Sequence, residues 1–379
     1  MHEARLCKPA HVYATACPSL PLAFVTPAKH RTFLSIALFS LLAALSLTLN
    51  PVGVYAQAGS PTPEYSSIVV FGDSLSDTGN VAHLTYDKYG FRVPGPVADY
   101  TDGSFTDGFD TAPAAQLYSG VWIKQLAESM PSKPEVKNSL DGGTNYAFGY
   151  ATTGTGTGAF TFGAGDVFSV DVENIGQQIT DYLATNPKIT PKTLFVVWGG
   201  ANDLIHGGFT EENILGSAAN QMLNIQRLID AGATQFIVPN LPPLGLIPRV
   251  NGDPVTAGFV NQASAYYNLA LGAGVQLILK SNSGKQLRIA QLDVFGLFGK
   301  IVAAPADFSL TNVTGSSQAM PVNPDNFLFW DDLHPTTHGH AILATTAAKL
   351  LSRSYCMNST KNGNGPIGVG VTMCSAGMQ

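Results

Sequence analysis

Four short apolar runs punctuate the chain, at 67–71 (SIVVF), 193–198 (TLFVVW), 235–239 (QFIVP) and 287–292 (LRIAQL). Each is apolar at consecutive rather than alternate positions and rich in β-branched residues, the pattern of a strand covered on both faces. Between and after them, apolar residues recur at helical spacing over 121–129, 172–184, 211–230, 257–280 and 338–352. Strand and helix therefore alternate, which predicts an α/β chain: a three-layer α/β/α sandwich with a mainly parallel central sheet. In such a fold, ligands sit outside the carboxyl ends of the strands.

Two stretches interrupt the alternation. Residues 86–120 are rich in Gly, Pro, Asp and aromatics, among them Tyr100, Phe105, Phe109 and Tyr118, and read as a long ordered loop over the sheet edge. Residues 142–165 hold eight glycines, including Gly154, Gly156 and Gly158, and read as a mobile loop near a cleft. A dinucleotide fingerprint is rejected there, because no strand precedes the glycines and no helix opens from them.

The first 56 residues have a different character. Lys29, His30 and Arg31 precede an apolar run at 33–49, followed by small residues up to Ala56, as in a secretory signal cleaved near Ala56 or Ala58. An uncleaved anchor is the alternative, since the run is near the lower limit of a membrane span. The domain plan is then signal peptide with a long leading segment over 1–56, linker over 57–66, one catalytic domain over 67–355 and a tail over 356–379. Of the four cysteines, Cys7 and Cys17 fall in the signal, and no Cys follows the apolar run to carry a lipid. In an exported, hence secreted or periplasmic, protein Cys356 and Cys374 are candidates for a disulfide closing the tail, with two unpaired thiols as the alternative.

Composition narrows the partners. The chain carries 20 Lys and Arg against 26 Asp and Glu, a net charge of −6. The signal removes four bases (Arg5, Lys8, Lys29, Arg31) and one acid (Glu3), leaving 16 bases against 25 acids. A nucleic-acid partner is excluded on this ground, and no membrane span remains after signal cleavage.

The candidate chemistry lies at the strand ends. The first strand runs into Gly72-Asp73-Ser74-Leu75-Ser76-Asp77-Thr78-Gly79-Asn80. Gly72 permits a tight turn, and Ser74 is placed at the N-terminus of a following helix, where backbone N–H groups favour negative charge. Alone, Ser74 or Ser76 would read as a helix cap. The far end of the chain changes that, because Trp330-Asp331-Asp332-Leu333-His334-Pro335 sets a carboxylate three residues before an imidazole, an orienter and a base for a nucleophile. Asp332 is a rival to Asp331, and the three-residue spacing favours Asp331. Asn202, in Trp198-Gly199-Gly200-Ala201-Asn202-Asp203, is a candidate oxyanion donor, as is the N–H of Gly149.

These blocks, spread over 67–351, resemble those of the SGNH, or GDSL, family of lipases and esterases and come in that family's order. They are most similar to its secreted phospholipase, lecithinase and haemolysin-like branch. The resemblance implies a flavodoxin-like hydrolase fold without cofactor, with Ser74 as nucleophile, His334 as general base and Asp331 as its partner. It also implies an oxyanion hole from the Ser74 amide, Gly149 and Asn202. Tyr150 departs from the pattern, since a second small residue usually follows Gly149, and Gly143 is a possible substitute donor.

The leading function is a serine esterase or lipase acting on carboxylic esters through an acyl-enzyme, with a phospholipase or acyltransferase as the alternative. A metal-dependent hydrolase using Asp331, His334, His338 and His340 is a further rival, opposed by the absence of a His-Glu-x-x-His helix. A non-catalytic binding protein is disfavoured by the intact set of Ser74, Asn202, Asp331 and His334. Residues His83 and His206 read as surface or loop positions, Trp122 as core. The aromatics of 86–120 suit either an acyl groove or sugar stacking, so the sequence leaves lipid and carbohydrate esters both open.

Overall fold

The computed structural model describes residues 65–101, 103–108 and 117–352. The expected export signal, most of the linker, Phe109 and the tail with Cys356 and Cys374 lie outside the described residues. In chain order the strands are β1 (Ser67–Gly72), β2 (Thr157–Phe162), β3 (Phe168–Glu173), β4 (Thr193–Trp198), β5 (Gln235–Pro239), β6 (Arg288–Leu292), β7 (Asn312–Ser316) and β8 (Phe327–Phe329). The helices are α1 (Asn80–Tyr89), α2 (Trp122–Ser129), α3 (Ile175–Ala184), α4 (Ala201–Gly207), α5 (Glu211–Asp230), α6 (Pro254–Ser281), α7 (Val294–Ala303) and α8 (Thr337–Ser352).

The central sheet has the order β1-β4-β5-β6, all parallel, with Ser67 opposite Thr193 and Gly72 opposite Trp198. Outside β1 an irregular segment continues it: Val70 N–H donates to Thr144 O at 3.0 Å, and Tyr146 N–H to Val70 O at 2.8 Å. Alternate residues serve opposite faces. Val69, Phe71, Phe195, Val197 and Phe236 pack under α3, α5 and α6, while Ile68, Val70, Leu194, Val196 and Trp198 pack under α2, α7 and α8. Both faces are thus buried, which is why these strands read as unbroken apolar runs.

Three readings of the sequence are corrected. The glycine-rich stretch is no mobile loop, since Thr157 to Phe162 form one arm of the antiparallel β2–β3 hairpin. Aromatic contacts pin that hairpin to the end of α1, with Phe168 5.1 Å and Phe162 5.9 Å from the Tyr89 ring. The helical stretch read from 172 begins only at Ile175, because 172 and 173 complete β3 and the Asn174 side chain turns away to accept from the Thr152 N–H at 2.9 Å. Residues 86–89, read as loop, are the last turn of α1. Among the described residues, no helix is long and apolar enough to cross a membrane.

Candidate active site

At the end of β1 the chain passes so close to β4 that a Cβ on Gly72 would stand 2.8 Å from Trp198 O. This approach requires glycine. Beyond it the N–H groups of Ser76 and Asp77 both donate to Asp73 O at 3.0 Å, forming a single turn that carries Ser74. The expected helix does not open there. Asp77 intervenes, accepting from the N–H groups of Gly79 and Asn80 at 2.8 Å and of Val81 at 3.2 Å, so α1 starts at Asn80. Ser76 is excluded as a nucleophile, because its buried Oγ accepts from Trp122 Nε1 at 3.0 Å.

Ser74 is brought to the acid-base loop from the other end of the chain. His334 Nε2 lies 2.9 Å from Ser74 Oγ, and His334 Nδ1 lies 2.7 Å from Asp331 Oδ2. The other oxygen of Asp331 accepts from the N–H groups of Leu333 at 2.7 Å and His334 at 2.6 Å. Burial alone would raise the Asp331 pKa. The His334 charge, its ring hydrogen bond and these two amides outweigh burial and hold Asp331 at about 2. Asp332 does not compete, since it faces outward in a two-pronged pair with Arg249 at 2.8 and 2.9 Å.

Asn202 sits on the first turn of α4, just beyond β4, and donates one Nδ2 hydrogen to Ala151 O at 3.0 Å, leaving the second free. Asp203 Oδ2 accepts the Thr153 N–H at 3.0 Å, and Asn174 accepts the neighbouring Thr152 N–H. The segment 149–153 is therefore fastened to the strand ends by side chains. Here the expectation for Gly149 fails: its N–H donates to Asp77 Oδ2 at 2.9 Å and is already engaged. What Gly149 supplies is space, because a Cβ there would meet the Phe105 ring at 2.4 Å. Gly143, the substitute, is also committed, donating to Asn138 O at 2.9 Å. Among the described residues, neither the Ser74 N–H nor the Tyr150 N–H has an acceptor, and Tyr150 stands at φ 73.

Several functional residues escaped the sequence reading. Tyr100 OH donates to Asp331 Oδ2 at 2.8 Å, and the Phe105 ring packs on the His334 ring with centroids 5.1 Å apart. Thr106 Oγ1 donates to Pro335 O, and Asp107 accepts from Thr337 N–H at 2.6 Å and Thr337 Oγ1 at 2.9 Å at the start of α8. Tyr100, Phe105, Thr106 and Asp107 thus strap down the loop that bears His334. Gln178 grips the approach to the nucleophile, accepting from Gly72 N–H and donating to Gly72 O, both at 2.9 Å. The one available signal was the aromatic and aspartate content of 86–120, which shows presence but not partners.

The four residues of the rival metal reading do not form one cluster, as His338 and His340 turn away from Asp331 and His334. His338 Nδ1 bonds to Asp325 O and its ring stacks on Tyr118, while His340 is buried inside α8. Among the described residues, no group of three His, Cys, Asp or Glu is arranged to hold a metal. His83 is not isolated but lies between Asp87 and Asp141, at 3.2 and 2.9 Å, and His206 packs against the Tyr150 ring on α4. An apolar slot opens beside Ser74, Asn202 and His334, lined by Leu75, Ile205, Leu244, Ile247, Phe298 and Leu343.

A family model described as GDSL-like lipase/acylhydrolase matches residues 68–346. The chain belongs to that family. This GDSL hydrolase, an enzyme acting on esters, is 25% identical over 367 residues to a phosphatidylcholine-sterol acyltransferase of Aeromonas hydrophila, covering 81% of this chain and 96% of that one. It is 29% identical over 329 residues to the esterase EstA of Pseudomonas aeruginosa, covering 79% of this chain and 49% of that one, so it spans about half of that relative. Among solved structures it is similar to a G-D-S-L family lipolytic protein of Veillonella parvula (TM-score 0.38, 11% identity, 76% of this chain and 99% of that one). An acetyl xylan esterase gives TM-score 0.37 at 11% identity, covering 75% of this chain and 98% of that one.

Proposed function

We propose that this GDSL hydrolase is an exported serine esterase or lipase that cleaves carboxylic esters through an acyl-enzyme on Ser74. The observation that carries the reading is the unbroken line from Ser74 Oγ through the His334 ring to Asp331, with contacts of 2.9 and 2.7 Å. His334 Nε2 takes the hydroxyl proton as Ser74 Oγ attacks the ester carbonyl, and Asp331 stabilises the imidazolium that results. The oxyanion meets the Ser74 amide, the free N–H of Asn202 and, in place of Gly149, the Tyr150 amide. The alcohol then departs with the proton from His334. Water, activated by the same ring, hydrolyses the acyl-enzyme and frees Ser74. The apolar slot suits the hydrocarbon of the acyl group better than a polyol.

A second reading, acyl transfer to an alcohol in place of water, is supported by the likeness to the Aeromonas acyltransferase over almost all of that protein's length. Hydrolysis of p-nitrophenyl esters from acetate to palmitate, with and without a long-chain alcohol acceptor, tests both. Wild type turns over, and Ser74→Ala loses about 10³-fold or more in kcat. Full activity in Ser74→Ala, or loss on chelation alone, defeats the serine reading. Acyl-alcohol product at the expense of free acid selects the transferase.

A further inference from the structure

Helix α6 has an unusual surface. It spans 28 residues and carries no charged side chain from Pro254 to Leu279. Its inner face buries Val260, Tyr267, Leu271, Val275 and Ile278, as a covering helix should. The outer face is largely apolar as well: Val255 is 81%, Phe259 56%, Leu269 66% and Leu277 65% exposed, interrupted by exposed Gln262 and, in the last turn, Lys280. At about 100° per residue these four positions fall within an arc of roughly 80°, one stripe along the helix. Neighbouring α5 adds exposed Leu215 and Leu223, and Phe209, at the foot of α5, sets its ring 6.1 Å from Phe259. A helix with an apolar stripe on its outer face as well as its inner one is suited to a further contact or to lipid, and this stripe lies on the outside.

The stripe adjoins the slot. Leu244 N–H donates to Ser264 Oγ at 3.2 Å and Gly245 N–H to Asn261 Oδ1 at 2.8 Å, so the segment bearing Leu244 and Ile247, two walls of the slot, is fastened to the first half of α6. Arg249 N–H donates to Asp332 O at 2.9 Å, tying the same segment to the acid-base loop. The amino end of α6 therefore stands at the catalytic edge of the sheet.

We propose that this outer face of α6 seats the enzyme on an electrically neutral lipid surface, delivering the slot to esters held there. The purpose rests on the proposed ester cleavage; the binding itself does not. A second copy fits the face poorly. A helix about 42 Å long and 10 Å wide offers roughly 400 Å², about half of what each partner of a stable dimer buries. Lys280 at its far end is the stripe's one charged group, too little to fix a register, which lipid does not need. Glu211, Glu212 and Asp253 at the amino ends of α5 and α6 repel anionic headgroups and select neutral ones.

The test is co-sedimentation of the full chain with phosphatidylcholine vesicles, for wild type and the triple variant Phe259→Ser, Leu269→Ser, Leu277→Ser. Hydrolysis of dissolved p-nitrophenyl butyrate is followed in parallel. The variant is expected to lose at least about tenfold in vesicle partition while keeping its rate on the dissolved ester within about twofold. Phosphatidylglycerol vesicles are expected to bind wild type more weakly than phosphatidylcholine. Equal partition of variant and wild type, preference for phosphatidylglycerol, or a wild-type dimer that the substitutions dissociate would overturn the proposal. Vesicle binding without any cleavage of the dissolved ester would instead refute the esterase reading and leave the docking face standing.

Discussion

The turn that carries Ser74 and the loop that carries His334 each bury an aspartate, and the two carboxyls are pushed in opposite directions. Asp73 is buried and accepts the Leu75 N–H at 3.0 Å; burial raises its pKa to about 7 against that bond and the pull of His334, with Asp203 adding to the rise. Asp331 is buried too, yet the His334 charge, its ring hydrogen bond and two amides outweigh burial and hold it at about 2, with Tyr100 OH also donating to it. Depth is therefore not what decides the charge. The number and sign of the partners decide it, so the carboxyl with the most donors is the one fitted to stabilise an imidazolium.

The most severe way to break this contrast is Asp331→Asn, expected to lower kcat/KM by about 10³- to 10⁴-fold on a soluble ester, because the ring loses its orienting acceptor. The same variant separates activity from stability. With its pKa depressed in the folded state, Asp331 stabilises the fold above its ordinary range near 4, and that contribution disappears as pH falls toward 2. Asp331→Asn should accordingly flatten the acid limb of a denaturation profile; an unchanged limb would mean other carboxyls govern it.

Asp73→Asn probes the opposite case. A raised pKa means the folded state prefers the protonated acid, so stability contributed by Asp73 is full below pH 4 and lost as pH climbs to about 7. The variant should gain on the order of 4 kcal/mol over wild type at pH 8 and nothing at pH 4, measured by urea denaturation. A smaller effect is expected of Tyr100→Phe, which removes one hydrogen bond from Asp331. A roughly fivefold fall in kcat/KM with little change in Tm is expected, as for loss of about 1 kcal/mol. Smallest of all is Arg249→Ala, which frees a half-exposed pair with Asp332; Tm should move by no more than about 2 °C, as for a surface ion pair.

These contrasts also mark what the sequence made legible. The parallel strands could be read because burial on both faces leaves unbroken apolar runs, and β4 and β5 were read to the residue. That Ser74, Asp331 and His334 belong together could be expected only by pairing two distant blocks, since Ser74 alone reads as a helix cap until the Asp-x-x-His spacing offers a base and its orienter; the structure brings the three side chains together. Helix α1 was not legible, since it opens at Gly79 without a side-chain cap of its own there, the carboxylate of Asp77 standing two residues back. Helix α7 was missed because VFGLFGKIVA is too uniformly apolar to show a period. Gly149 was misassigned because a glycine that makes room for a ring looks the same in sequence as one that offers an amide. Tyr100 and Asp107 were invisible as partners, as their targets lie over 200 residues further along the chain.

That last separation bears on how the enzyme comes into being. Ser74 and its base are 260 positions apart, and the strap at 100–107 has nothing to hold until 331–337 have been made. A nascent or truncated polypeptide possesses the hydroxyl but no means to activate it. Hydrolytic competence on this reading appears all at once, only after 331–337 have been made, and a chain stopped before them cannot attack the esters it passes.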